Sequence, residues 1–202
     1  MRPRQVSDDE LLGKALAAFA EYGYDGASMR ALCRRLEVSH NMLHERYGSK
    51  ETLWYAAVDH GFRGLVAELG DAVLAAGDDP FDQLRAAMLR FVAVTRATPA
   101  LIQILHQESA RGGPRYEHLF EHYVAPINEA GLRSLRQLQT EGRVRPGPVS
   151  TTFFHLTTYG LGAMSSHPES LAALGDAGAD PEEAAELGVD MILDSLRPPR
   201  EA

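Results

Sequence analysis

Residues 19–54 read FAEYGYDGASMRALCRRLEVSHNMLHERYGSKETLW, and the spacing of their serines and glycines decides the fold. Ser28, Ser39 and Ser49 each stand just before a run with apolar residues at helical spacing. In that position a side-chain oxygen satisfies backbone N–H groups left open by the first helical turn. After Ser28, Met29, Leu32, Cys33 and Leu36 fall at i, i+3, i+4 and i+7, one apolar stripe on a short helix. After Ser39, the spacing turns Met42, Leu43 and Tyr47 inward and leaves His40, Asn41, His44 and Arg46 outside, until Gly48 ends the run. After Ser49, Leu53, Trp54, Ala57 and Val58 mark the buried side of a fourth helix. Upstream, Ser7 and Glu10 have the spacing of a capping box, and Leu12, Ala15, Leu16 and Phe19 predict a first helix over residues 8–22, closed by Gly23 and Gly26.

Helical periodicity continues to the end of the chain. The predicted segments are residues 80–98, 99–110, 115–141 with a kink before Pro126, 150–164 and 180–196, separated by Gly- and Pro-containing breaks such as Gly112-Gly113-Pro114 and Pro146-Gly147-Pro148. The Gly/Ala-rich residues 165–179 are expected to form a mobile loop holding a short helix. No strand alternation or internal repeat is present. The expected fold class is all-α, with an N-terminal three-helix domain over residues 1–48 (helix-turn-helix at 28–47) and a larger helical domain over residues 49–202.

Composition narrows the function. With 45% hydrophobic and 24% charged residues among 202, the chain has ordinary globular usage. One cysteine, Cys33, excludes an intrachain disulfide and any zinc site built from several thiolates, and is expected to be a small core hydrophobe. No run approaches the roughly 20 apolar residues of a membrane span, and the first ten residues are too polar for a signal peptide, so a cytoplasmic location and no membrane partner are expected. No Ser/His/Asp order, phosphate loop, dinucleotide glycine pattern or paired carboxylates stand out, so no enzyme activity and no cofactor are expected.

A net charge of −8 looks unsuited to nucleic acid, but its distribution is uneven. Residues 1–52 hold 8 basic and 8 acidic side chains, whereas residues 53–202 hold 12 and 20. Within residues 28–50, five cations (Arg30, Arg34, Arg35, Arg46 and Lys50) face two acids (Glu37 and Glu45), a local basic patch of the kind that duplex phosphates attract. Two short helices joined by a tight turn, the second showing polar residues outward, match the arrangement that lays a recognition helix in the major groove. His40 and Asn41, near the start of that helix, are the candidates for reading base edges, since Asn pairs with two atoms of adenine. Ser28, Ser39 and Lys50 lie at helix starts, where open N–H groups suit phosphate, and Arg30 and Arg46 add to the patch. Arg34 and Arg35 are expected on a solvated helix face.

Residues 19–54 resemble the signature of the TetR family of transcriptional regulators: an aromatic and Gly-rich exit from the first helix, a Ser-capped second helix, Val38-Ser39, the recognition helix, and an aromatic-x-Ser-Lys-x-x-Leu close over residues 47–53. The resemblance covers about the first quarter of the chain without gaps. It implies an all-helical homodimer acting as a repressor on double-stranded operator DNA, with a C-terminal pocket whose occupation releases the DNA. It also implies that the last two long helices, here residues 150–164 and 180–196, pair with those of a second copy. Two positions depart from the family pattern. Glu37 replaces the turn glycine, and a left-handed backbone there costs about 1 kcal/mol. His44 replaces a phosphate-contacting tyrosine, and an imidazole can still donate to phosphate.

Further candidates come from the C-terminal helices. Phe91, Leu105, Tyr123 and Phe154 supply large apolar walls and Thr95, His122, His155, Thr158 and Tyr159 polar groups for a pocket that takes a small, partly apolar effector. Leu187, Met191 and Ile192 belong to a last helix that is apolar on nearly all sides, which implies a partner; with Phe153 and Leu161 they form the candidate dimer interface. His118 and His122 have the i, i+4 spacing of a metal pair but lack a third ligand nearby, and no metal is expected. Two rivals stay open: a metal-dependent enzyme or sensor using these histidines, and a helical interaction module that never meets DNA.

Overall fold

The computed structural model describes residues 7–166, 173 and 180–198, and every regular element among them is helical. In chain order these are α1 (Asp8–Gly26), α2 (Met29–Leu36), α3 (His40–Tyr47), α4 (Lys50–Ala75), α5 (Pro80–Ala97), α6 (Ala100–Arg111), α7 (Pro114–Leu119), α8 (Ala125–Thr140), α9 (Val149–His155), α10 (Gly162–Ser166) and α11 (Pro181–Leu196), with π-helical stretches at Phe120–Val124 and Leu156–Leu161. The all-α expectation holds. The short helix expected within residues 165–179 lies largely outside the described residues.

The predicted caps are formed: Ser7 accepts from the Glu10 N–H at 3.2 Å and Ser49 from Thr52 at 3.0 Å. Asp79 and Asp180 cap α5 and α11 in the same way, accepting from Phe81 and Glu182 at 2.8 Å. Gly23, at φ 66°, breaks α1 where the sequence places its stop. The long helix predicted for residues 115–141 instead contains a π-helical stretch, Phe120–Val124, just before Pro126. Proline has no N–H to offer the carbonyl four residues back, and a local change of register absorbs that loss better than a sharp kink. A second π stretch, Leu156–Leu161, interrupts the helix predicted for residues 150–164.

The described residues fall into two compact units. One takes in those of Met1–Gly64 and Ala100–Phe120, the other those of Leu65–Pro99 and Glu121–Ala202. In the first, α1 to α3 close around Leu16, Phe19, Leu32, Leu36 and Leu43, all at most 2% exposed. Here α6 lies against α1: Gln107 Nε2 donates to the Ala20 carbonyl at 2.7 Å. Gly61 is required by this packing, because a Cβ there would come within 2.7 Å of Leu16 and 3.0 Å of Leu101.

The second unit packs α5, α8, α9 and α11 around Phe81, Leu84, Met88, Leu135 and Val189. Its rim carries ion pairs, among them Arg85 with Asp190 at 2.7 Å and Arg143 with Asp79 at 2.7 Å. The hydrogen bond from Arg85 holds the Asp190 carboxyl below the usual carboxylate range, while partial burial opposes it. A carboxylate lowered in the folded state contributes stability that is whole above its unfolded value, near pH 4, and disappears as pH falls through the folded value. Asp190 is 49% exposed, so the contribution is small. Asp190→Asn is expected to cost about 0.2–1 kcal/mol at neutral pH and nothing in strong acid, as read from denaturation midpoints across that range.

Candidate nucleic-acid interface

The helix-turn-helix is built from the local chemistry of its caps. Ser28 Oγ accepts from the Ala31 N–H and Ser39 Oγ from the Met42 N–H, both at 3.1 Å. Each hydroxyl therefore starts a helix through its lone pairs and keeps its own O–H available to donate to a phosphate oxygen. Between the helices Glu37 adopts φ 58°, ψ 38°, and its N–H and that of Val38 return to carbonyls at the end of α2. The chain accepts the left-handed turn without glycine, at the cost of about 1 kcal/mol foreseen for that position.

Leu43 is the one fully buried side chain of α3, and α3 packs against α2, where Leu32 and Leu36 are also fully buried. His40, Asn41 and His44 are exposed, with the rings of His40 and His44 stacked at 6.2 Å between centroids and 15° between planes. Ser28, Arg30 and Ser39 are exposed too. Cys33, expected in the core, is only partly buried.

The remaining candidates are already engaged. Arg46 Nη1 lies 3.0 Å from Asp8 Oδ1, and the Tyr47 hydroxyl donates to the same carboxylate oxygen at 3.3 Å. Burial first, and then Asp8, pushes the Tyr47 phenol up from its ordinary value, so it stays a neutral donor. Lys50 is half-buried: its Nζ donates to the Tyr24 carbonyl at 3.0 Å and sits 4.2 Å from the Tyr24 ring centroid. Arg35 pairs with Glu21 at 3.6 Å, although Arg34 and Arg35 are exposed as expected. The Arg115 guanidinium lies 3.9 Å from the same Tyr24 ring and pairs at 3.0 Å with Glu108, which is 1% exposed. Asp8, Tyr24 and Arg115 carry no local signature in the sequence, because their partners are brought to them by folding. Tyr47 and Asp8, for instance, are 39 residues apart.

The pocket candidates divide between the two units. Leu105 is buried in the first unit, while Phe91, Thr95, His122, Tyr123, Phe154, His155, Thr158 and Tyr159 belong to the second. Thr95 is fully buried and donates to the Phe91 carbonyl at 2.7 Å. Tyr123 is buried, His122 and His155 are exposed, and Phe154, His155 and Tyr159 form an aromatic cluster with centroids 5.4–6.0 Å apart. Phe153 and Leu161 lie in the core of their own unit, Ile192 is partly buried against it, and Leu187 and Met191 are 63% and 64% exposed. His118 hydrogen-bonds Asp59 at 2.6 Å, and His122 lies inside the Phe120–Val124 π stretch, which departs from the α-helical register on which i, i+4 pairing depends. Among the described residues no group of three or more His, Cys, Asp or Glu is arranged to hold a metal. No single helix among them is long and apolar enough to cross a membrane.

Residues 11–57 match the family described as bacterial regulatory proteins, tetR family. The HTH-type transcriptional regulator YezE of Bacillus subtilis (strain 168) is 33% identical over 76 residues, which cover 38% of this chain and 39% of that protein's length. The fold is shared more widely. The ketosteroid transcriptional regulator KstR2 of Mycobacterium tuberculosis superposes with a TM-score of 0.74 at 18% identity, covering 96% of this chain and 97% of that one. The TetR family transcriptional regulator PfmR of Thermus thermophilus gives 0.73 at 23% identity, covering 96% and 99%. Residues 11–57 are thus similar to the tetR-type bacterial regulatory proteins, and nearly the whole chain shares its fold with solved transcriptional regulators.

Proposed function

We propose that the protein is a homodimeric transcriptional repressor that grips operator DNA through residues 1–48 and is released by a small, partly apolar molecule held within residues 49–202. The observation that carries the DNA-binding role is α3: a Ser39-capped helix whose one fully buried side chain is Leu43, with His40, Asn41 and His44 exposed to enter a major groove. Asn41 reads an adenine, while Ser28, Arg30, Ser39, His44 and Lys50 position the helix on phosphates, with Arg46 a further cation at the end of α3. Leu187 and Met191 support dimerisation, since they leave an apolar strip of α11 uncovered four residues apart. A two-fold dimer presents two recognition helices to successive major grooves of an inverted repeat. The effector acts by favouring a conformation in which those helices are wrongly spaced, and operator DNA must weaken effector binding by the same factor.

Titration of the purified protein with duplexes from the DNA flanking its coding region tests the proposal. One duplex containing an inverted repeat should bind far more tightly than a random-sequence duplex. Asn41→Ala should lose about 1–3 kcal/mol on that site and nothing on random sequence. A monomer indifferent to every duplex would overturn the proposal.

A further inference from the structure

The cations of the helix-turn-helix meet acids from α1. Arg46, in the last turn of α3, faces Asp8, in the first turn of α1, at 3.0 Å, and Arg35, in the last turn of α2, faces Glu21 at 3.6 Å. The basic patch that sequence places at residues 28–50 is therefore partly neutralised by the chain itself. The Asp8 carboxylate is 67% exposed and Arg46 is 34% exposed, so solvent and salt reach this pair. Tyr47 donates to the same Asp8 oxygen, which holds the carboxylate at the end of the recognition helix.

Resting on the proposed DNA-binding role, we infer that Asp8 is a built-in competitor with operator phosphate for Arg46, and that this pair sets the protein's baseline grip on duplex DNA. A phosphate arriving at the end of α3 meets a guanidinium already occupied by a carboxylate, and a negative charge beside it. The wild-type complex then neutralises one phosphate fewer than the count of arginines and lysines suggests. Affinity is held down without altering the base-reading residues His40 and Asn41, so discrimination between sites is preserved while overall binding is weakened. Asp8 acts through Arg46 and is a positioning residue, not a DNA contact.

The test is a salt series on a random-sequence duplex with wild type, Asp8→Asn, Arg46→Met and the double variant. Asp8→Asn keeps a hydrogen-bond acceptor for Tyr47 and removes the charge. It is expected to steepen the slope of log affinity against log salt by about 0.9, one phosphate contact, and to tighten binding about two- to fivefold at low salt. In the Arg46→Met background the same substitution should leave the slope unchanged. Equal steepening in both backgrounds would mean a general charge effect and would overturn the inference, as would weaker binding by Asp8→Asn, which would make Asp8 a support for Arg46. Circular dichroism confirms folding, and Asp8→Ser repeats the measurement if the asparagine variant does not fold. Wild type without salt-dependent duplex affinity would refute the DNA-binding role itself, a result distinct from wild type that binds while Asp8→Asn changes nothing.

Discussion

Arg115→Met is expected to destabilise the unit that carries the helix-turn-helix by about 3–5 kcal/mol, the cost of leaving a buried charge without its partner. For a chain of this size that corresponds to a fall in Tm of roughly 6–20 °C. Glu108 is 1% exposed on α6, and Arg115 Nε at 3.0 Å is its ion-pair partner. Methionine matches much of the length of the arginine stem but gives the carboxylate no proton donor. The substitution also removes the guanidinium from the Tyr24 ring, 3.9 Å away, where a cation and an aromatic face attract. The pair itself need not be strongly stabilising, because desolvation offsets most of its attraction. Glu108→Leu combined with Arg115→Met should therefore recover most of the loss in a thermal or denaturant melt. A single Arg115→Met variant within about 1 kcal/mol of wild type would show that Glu108 has no need of this partner.

Leu43→Ala should cost about 2–5 kcal/mol, the range for truncating a buried leucine. Its consequence falls on function. Helix α3 has eight residues, too few to persist in water without tertiary contacts, and Leu43 is its one fully buried side chain. Without it, His40 and Asn41 stand on a helix that detaches from α2 for part of the time, and duplex affinity falls with the docked fraction. Amide exchange along residues 40–47 should accelerate more than in the α1 core. Met42→Ala, at a half-buried neighbour, should have the smaller effect. Unchanged exchange in Leu43→Ala would show that other contacts anchor α3.

Much of the fold was legible because it rests on short-range rules. Ser7, Ser28, Ser39 and Ser49 each name a helix start, since a cap is a bond across two or three residues and needs no distant partner. Glu37 was recognisable as the left-handed turn residue only through the family resemblance, which places a turn glycine at that position. The π stretch before Pro126 was visible only as a break in an expected helix, because proline announces a missing donor without saying how the backbone will absorb it.

The sequence by itself determined the all-helical class, the positions of the helix starts in the helix-turn-helix, and the outward face of α3, because period and capping are local properties of the chain. Tertiary structure alone decided which charges remain available. Arg46 and Lys50 belong to the basic patch by composition, yet folding delivers Asp8 to one and the Tyr24 carbonyl to the other across 38 and 26 residues. It likewise spent Phe153 and Leu161 on their own core and left Leu187 and Met191 exposed, though all four are apolar residues on helices with the same periodic pattern. The physical reason is common to both cases: a side chain's type states what it can bind, while its partner is chosen by whatever surface the rest of the chain brings within a few ångströms.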